Sequence, residues 1–398
     1  MKKYNKITPE GTKDLIYEEC ETRRMIETAL KNVFTVRGFR EVVTPGLEFL
    51  DVFSSNSRYF PQETMYKLCD NNGRLMVIRP DNTIPIARIV ATRLRDQPFP
   101  IRLYYNQQVY RNNKSYRGRS DENQQCGIEI IGSDSSKADL ELLVTAIESL
   151  SEFPSLDFTI EIGHIGFFKA LINKLNIDDD VKEEIRVLTE QKNYASLNDL
   201  LDSIGDSDEV TALKQLPGLF GGEEVFEKAS SLCNDVDIEN TLLYLKNLYQ
   251  NLSRLGLKGR VIIDLGLVNM IDYYTGVVFR GYIEGFGENI LSGGRYDSLV
   301  KDFGENICAT GFAVNVDGIL RAFAKKDMLV SDNRKKILIF SQKGFELDAL
   351  LYRKELLKSG VICEYCLTDN EEAAKAVARQ KGIDTLYIVD EKITEINI

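Results

Sequence analysis

The sequence has 398 residues, enough for two or three domains of roughly 150 residues each, with a large core. Apolar residues make up 43% and charged residues 28%, and no apolar run approaches the roughly 20 residues that would span a bilayer. Fifty basic against 61 acidic residues give a net charge of −11, which argues against a protein that grips a nucleic-acid backbone over a wide face.

In chain order, Ile26, Leu30, Val33 and Phe34 fall at helical spacing, and Gly38 follows as a stop. Phe39 to Leu47 reads as extended chain closed by Pro45-Gly46. Residues 65–80 predict a hairpin turning at Asn71-Asn72-Gly73. Further strands are expected at 101–110, 126–131, 158–162, 261–268 and 275–283. Their irregular spacing, without helices alternating one for one, predicts an α+β fold with a mostly antiparallel sheet. Residues 167–258 turn helical and acidic, with no strand signal, and read as a helical insertion. Within it Leu242, Leu245, Tyr249, Leu252 and Leu255 share one helix face. The expected domains are therefore a core of 1–166 and 259–323, the insertion, a linker at 324–333 and a small α/β domain at 334–398.

Most generic chemical motifs fail. Neither a Walker-type phosphate loop nor a G-x-G-x-x-G after a strand is present. The seven cysteines are scattered and odd in number, which suits free thiols in a reducing cytoplasm. The opening MKKYNKITPEGTKD also lacks the apolar stretch of a signal peptide, so a cytoplasmic location is expected. Cys363 and Cys366 have redox or zinc spacing but no second pair, and a structural role is expected. The Asp178-Asp179-Asp180 run reads as a solvated helix start. His164 is the lone histidine; it leaves little for histidine-dependent catalysis or Cys/His metal sites, and a packing role is expected. No metal and no cofactor are expected.

The stretch Tyr110–Glu129 stands apart. Two strands flank a loop carrying Arg111, Lys114, Arg117 and Arg119, and Gln125 and Glu129 can face the same cleft as Arg111. A guanidinium fork beside carboxylate and amide groups suits a zwitterion: arginine meets its carboxylate, glutamate its ammonium. Together with IRPDNT at 78–83, DYYTGVVF at 272–279, SGGRYD at 292–297 and GFAVNVDGIL at 311–320, this stretch resembles the histidyl-tRNA synthetase family across roughly residues 5–323. The resemblance implies a class II aminoacyl-tRNA synthetase-like sheet flanked by helices. It also implies a dimer built through the segment around Pro45, and a tail similar to a shortened anticodon-binding domain.

Read residue by residue, the resemblance divides. The amino-acid positions are mostly kept: Asp81 stands where the family has Glu, and Thr83, Arg111, Gln125, Glu129, Tyr273 and Tyr274 match. The resemblance therefore implies a histidine site made of these seven residues. The positions for ATP and the chemical step are altered. Asp317-Gly318 replaces the family's Glu-Arg, with Arg321 three places late, and Asn269 replaces the arginine before the tyrosine pair. Asn113 and Asn123 replace a glutamate and the adenine-stacking phenylalanine. Adenylation depends on cations that meet developing charge, so no catalytic site is expected. This pattern, with RPDNTIPIAR, looks like the catalytically silent branch of the family, the regulatory subunits of ATP phosphoribosyltransferase. That resemblance implies a homodimer within a hetero-oligomer with the short-form catalytic subunit, acting at the first step of histidine biosynthesis. It further implies L-histidine as effector, with no tRNA and no membrane as partners. The alternative from another class is an active histidine–tRNA ligase.

Overall fold

The computed structural model describes residues 4–54, 61–113, 120–232, 235–268 and 273–398. It divides into two compact units, Met1–Leu329 and Val330–Ile398.

In the first unit, helix Glu18–Thr35 buries Ile26, Leu30, Val33 and Phe34, and Gly38 follows at φ +80°, a conformation open to glycine. Four short strands come next: β1 (Arg40–Glu41), β2 (Leu47–Phe49), β3 (Lys67–Cys69) and β4 (Leu75–Ile78). Helix Thr83–Thr92 leads to the long pair β5 (Ile101–Tyr110) and β6 (Glu122–Ile131). Helix Ser136–Ser151 precedes β7 (Phe158–His164), and a helical stretch follows, interrupted by β8 (Phe220–Gly221). The unit closes with β9 (Val261–Asp264), β10 (Val277–Ile283), β11 (Asn289–Arg295), β12 (Ala309–Asn315) and helix Val316–Lys325.

Among the described residues nine strands form the main sheet, in the order β1-β5-β6-β12-β11-β10-β7-β9-β8. The centre is antiparallel as expected, but β1 runs parallel to β5 and β9 parallel to β7, so the sheet is mixed. The hairpin β3–β4 forms as the Asn-Asn-Gly turn predicts, within a separate sheet ordered β2-β4-β3.

Four sequence expectations need correction. Segment 39–47 is not one strand: β1 ends at Glu41, and β2 begins beyond Pro45-Gly46 in the other sheet. The strand expected at 261–268 stops at Asp264, whose carboxylate accepts from the Gly266 amide. The helical stretch does contain a strand, β8, which pairs with β9; two residues are too few for alternation to register. Leu255 lies beyond the helix Val236–Arg254 and is 57% exposed, whereas Leu242, Leu245, Tyr249 and Leu252 are buried as the pattern requires.

One face of the main sheet buries Cys126, Ile128, Phe279, Phe312 and Val314 against helices Glu18–Thr35, Ser136–Ser151 and Val316–Lys325. Each fully buried Leu, Ile or Phe there contributes about 1.5–3 kcal/mol. The opposite face is polar and glycine-rich. Strand register aligns Glu129 with Gly311 and Gly294, and Gly127 with Ala313 and Ser292. Paired residues share a face, so these rows form the floor of a cleft.

The second unit is the strand–helix–strand–helix–strand pattern read from the sequence, with one added strand. β13 (Lys336–Ser341), β14 (Ile362–Tyr365), β15 (Thr385–Val389) and β16 (Ile393–Asn397) stand in the order β14-β13-β15-β16. The added β16 pairs antiparallel with β15.

Candidate amino-acid binding site

All seven residues expected at the site line one cavity of about 60 Å³: Asp81, Thr83, Arg111, Gln125, Glu129, Tyr273 and Tyr274. They come from distant parts of the chain. Asp81 and Thr83 sit at the start of helix Thr83–Thr92, where the Asp81 carboxylate accepts from the Ile84 amide at 2.9 Å. Arg111 follows β5, and Gln125 and Glu129 point from β6, four residues apart on one face. Tyr273 and Tyr274 precede β10, with ring centroids 4.8 Å apart.

Glu129 is the deepest polar group, 1% exposed. Thr83 Oγ1 donates to one of its carboxylate oxygens at 3.0 Å and the Tyr296 hydroxyl donates to the other. Burial pushes its pKa up to about 8, helped by the Asp81 charge and opposed by the two hydroxyl donors, so at neutral pH the group is mainly protonated. Gly311 makes room for it, because a Cβ there would lie 1.5 Å from Glu129 Oε2. Burial also raises the Asp81 pKa, against the pull of Arg111, whose Nη2 lies 3.7 Å from the carboxylate. Arg111 Nε donates to the Pro80 carbonyl at 2.8 Å, which fixes the guanidinium at the mouth.

Sequence reasoning missed several participants. Tyr296 belongs to the SGGRYD block and follows directly after β11, which ends at Arg295; the block was its signal, though the seven expected residues do not include it. Tyr105 and Ser292 also line the cavity. Asn82 donates to Gln125 Oε1 at 3.2 Å, and its own oxygen is buried without a partner among the described residues. No local pattern marks that role.

A second, wider cleft of about 370 Å³ continues outward and shares Arg111, Gln125, Ser292 and Ala313 with the cavity. Asn113 and Asn123 line it, and both carboxamides donate to the Ser120 carbonyl. Asp317 accepts from the Gln124 amide at 2.6 Å, so its carboxylate is tied to β6. Gly318 donates its amide to the Asn315 side chain at 2.9 Å, and a Cβ there would sit 3.1–3.2 Å from Asn315 and Ile290. Arg321 reaches the cleft but pairs with Glu288 at 2.9 Å. Lys114, Arg117, Arg119 and Asn269 lie outside the described residues.

The remaining candidates take structural places. His164 caps helix Ile165–Lys174, its Nδ1 accepting from the Gly166 amide at 3.0 Å, and burial lowers its pKa to about 4. Asp178 and Asp179 start helix Asp179–Glu190. Cys363 and Cys366 are buried free thiols of the second unit.

Residues 11–319 match the histidyl-tRNA synthetase family. Over the whole chain the relatives are more specific. The ATP phosphoribosyltransferase regulatory subunit of Clostridium kluyveri is 42% identical over 98% of this chain and 100% of its own length. That of Clostridium botulinum is 40% identical over 99% of this chain and 94% of its own. The chain belongs to the family of ATP phosphoribosyltransferase regulatory subunits. This family is a non-catalytic branch on the synthetase fold. A solved ATP phosphoribosyltransferase regulatory subunit/histidyl-tRNA synthetase from Bacillus halodurans superposes with a TM-score of 0.83 at 29% identity, covering 95% of this chain and 97% of its own. Histidyl-tRNA synthetase from Nostoc gives 0.80 at 20% identity, covering 99% of this chain and 97% of its own, and shares the fold. Among the described residues no helix is long and apolar enough to cross a membrane.

Proposed function

We propose that the chain assembles with the catalytic subunit of ATP phosphoribosyltransferase, binds free L-histidine in the cavity around Glu129, and relays feedback inhibition to its partner. The observation that carries this reading is the contrast within one cleft. Seven polar residues suited to an amino acid converge, while the adjoining cleft carries Asn113 and Asn123, and helix Val316–Lys325 beside it opens with Asp317-Gly318 where a synthetase needs a cation. A zwitterion fits with its carboxylate at Arg111 and Gln125 by the mouth and its ammonium at Asp81. The residue pattern alone gives the ammonium to glutamate, but the depth of Glu129 among Tyr105, Tyr273 and Tyr296 suits the ring better. A mainly protonated Glu129 can donate to one ring nitrogen, and an imidazole presents one donor and one acceptor.

Calorimetry of the full chain with L-histidine, paired with transferase assays of the assembled complex at rising histidine, tests both halves. Saturable binding and inhibition over one concentration range is the expected result. Inhibition without binding to this chain would move the feedback site to the catalytic subunit.

The same reading includes a homodimer through β2. This edge strand exposes Leu47 and Phe49 on one face, with exposed Val43 just before it. Two-fold pairing of that edge would cover the apolar group. Sedimentation should give a dimer at micromolar concentration, and Phe49→Asp should shift it toward monomer.

A further inference from the structure

Behind the tyrosine wall of the cavity lies a buried polar chain that ligand recognition does not use. Arg295, 7% exposed at the end of β11, meets Asp139 through two bonds: Nε to Oδ2 at 3.0 Å and Nη2 to Oδ1 at 2.9 Å. Asp139, 1% exposed on helix Ser136–Ser151, also accepts from the Tyr244 hydroxyl. Tyr244 belongs to helix Val236–Arg254, the last of the helical stretch, and packs edge-on against His164. On the cavity side, the Thr275 amide donates to the Arg295 carbonyl at 2.8 Å, and Thr275 Oγ1 donates to Asp297 at 3.1 Å. Arg295 Nη1 reaches Asp297 at 3.1 Å. Residues on either side of these links, Tyr274 and Tyr296, line the cavity.

We infer that Tyr244, Asp139 and Arg295 are positioning residues that couple occupancy of the histidine cavity to helix Val236–Arg254. This rests on the reading of the cavity as a histidine site. The argument is geometric. A bidentate arginine–carboxylate pair admits few alternative arrangements, and a buried one is intolerant of losing a partner. A ligand that fixes Tyr274 and Tyr296 therefore fixes the main chain of Thr275 and Arg295. Through Asp139 it favours the helix position in which the Tyr244 hydroxyl stays bonded. Coupling of this kind is reciprocal, so displacing the helix must alter histidine affinity by the same factor.

The test uses the full chain, wild type and Tyr244→Phe, with L-histidine as the probe. Calorimetry measures affinity, and amide hydrogen exchange is followed with and without ligand. In the wild type, histidine should slow exchange around Tyr274 and Tyr296 and also along helix Val236–Arg254. Tyr244→Phe should keep the first protection, lose the second and weaken histidine binding about tenfold. A merely structural hydroxyl would lower the unfolding temperature and leave the ligand-induced protection of the helix intact. Unchanged helix exchange on adding histidine to the wild type would overturn the inference, as would full retention of that protection in Tyr244→Phe. No binding of histidine to the wild type would overturn the reading of the cavity itself, and the coupling with it.

Discussion

The cavity and the wider cleft outside it share Arg111, Gln125, Ser292 and Ala313, yet they are equipped for different tasks. In the cavity both oxygens of Glu129 meet hydroxyl donors, glycines clear the space, and four tyrosines close the walls. In the outer cleft, carboxamides from Asn113 and Asn123 turn to the Ser120 carbonyl, and the helix start at Asn315–Gly318 satisfies itself. On the proposed reading, recognition and reaction are separable on this fold. Recognition needs a shaped set of satisfied polar groups. Reaction needs cations placed where charge develops, and those are removable without disturbing the floor of the sheet.

The strongest attempt to break this contrast is to look for synthetase chemistry. Each missing cation removes ~3 kcal/mol or more of transition-state stabilisation, so two together lower the rate on the order of ten-thousandfold. Histidine-dependent ATP–pyrophosphate exchange should therefore be undetectable in the wild-type chain. Asn269→Arg with Gly318→Arg should recover little, because Asn113 and Asn123 also depart. A side chain at 318 must in addition push against Asn315 and Ile290. Exchange at a rate typical of a synthetase would erase the distinction between the two ends.

The next effect lies at the deep end. Glu129→Ala strips a buried partner from Thr83, Tyr296 and the ligand, at a cost of ~2–3 kcal/mol, or about 30- to 150-fold in histidine affinity. Stimulation of the partner enzyme without histidine should be unchanged, since no surface is altered. Calorimetry and basal transferase assays read the two outcomes separately.

The same residue gives a pH signature. Its folded-state pKa of about 8 lies above the ordinary 4.5, so the native state holds a proton that the unfolded chain releases. Its contribution is complete below pH 4.5 and declines as pH rises toward 8, with a slope of up to about 1.4 kcal/mol per pH unit. Glu129→Gln removes that slope. Urea unfolding of the two chains should coincide near pH 4.5 and separate in favour of the glutamine variant by pH 7.5. Parallel curves across that range would mean that Glu129 stays ionised in the cavity.

What was legible in the sequence follows the same division. The helix at Glu18–Thr35, the β3–β4 hairpin and the alternation in the tail carry local signals, and each formed as read. The seven cavity residues were legible through motif blocks far apart in the chain, because those blocks keep their residue types. Tyr296 and Asn82 were not, because their importance lies in which atom they meet across the sheet rather than in a local pattern. The parallel edge pairings of β1 and β9 and the two-residue β8 were hidden for a related reason: partners chosen by tertiary packing leave no periodicity of their own.

The smallest expected effect concerns the lone histidine and sharpens the boundary between binding and framework. His164 lies close behind the cavity, but its Nδ1 is committed to the Gly166 amide as a helix cap. Asparagine is also a good cap, so His164→Asn should change stability at neutral pH by less than about 1 kcal/mol, and His164→Ala should cost about that much. Acid separates the variants further. Burial lowers the His164 pKa from 6.5 to about 4, so the unfolded chain binds a proton there that the native state refuses. Its contribution is therefore complete above pH 6.5 and declines as pH falls toward 4, opposite in sign to that of Glu129. Thermal unfolding at pH 5 and pH 7 should show a smaller acid loss in His164→Asn than in the wild type. Histidine affinity, measured on both at pH 7, should be the same within about twofold, since the Tyr244 hydroxyl keeps its bond to Asp139 when the ring packed against it is replaced. A large loss of affinity in the asparagine variant would move His164 from the framework into the binding machinery.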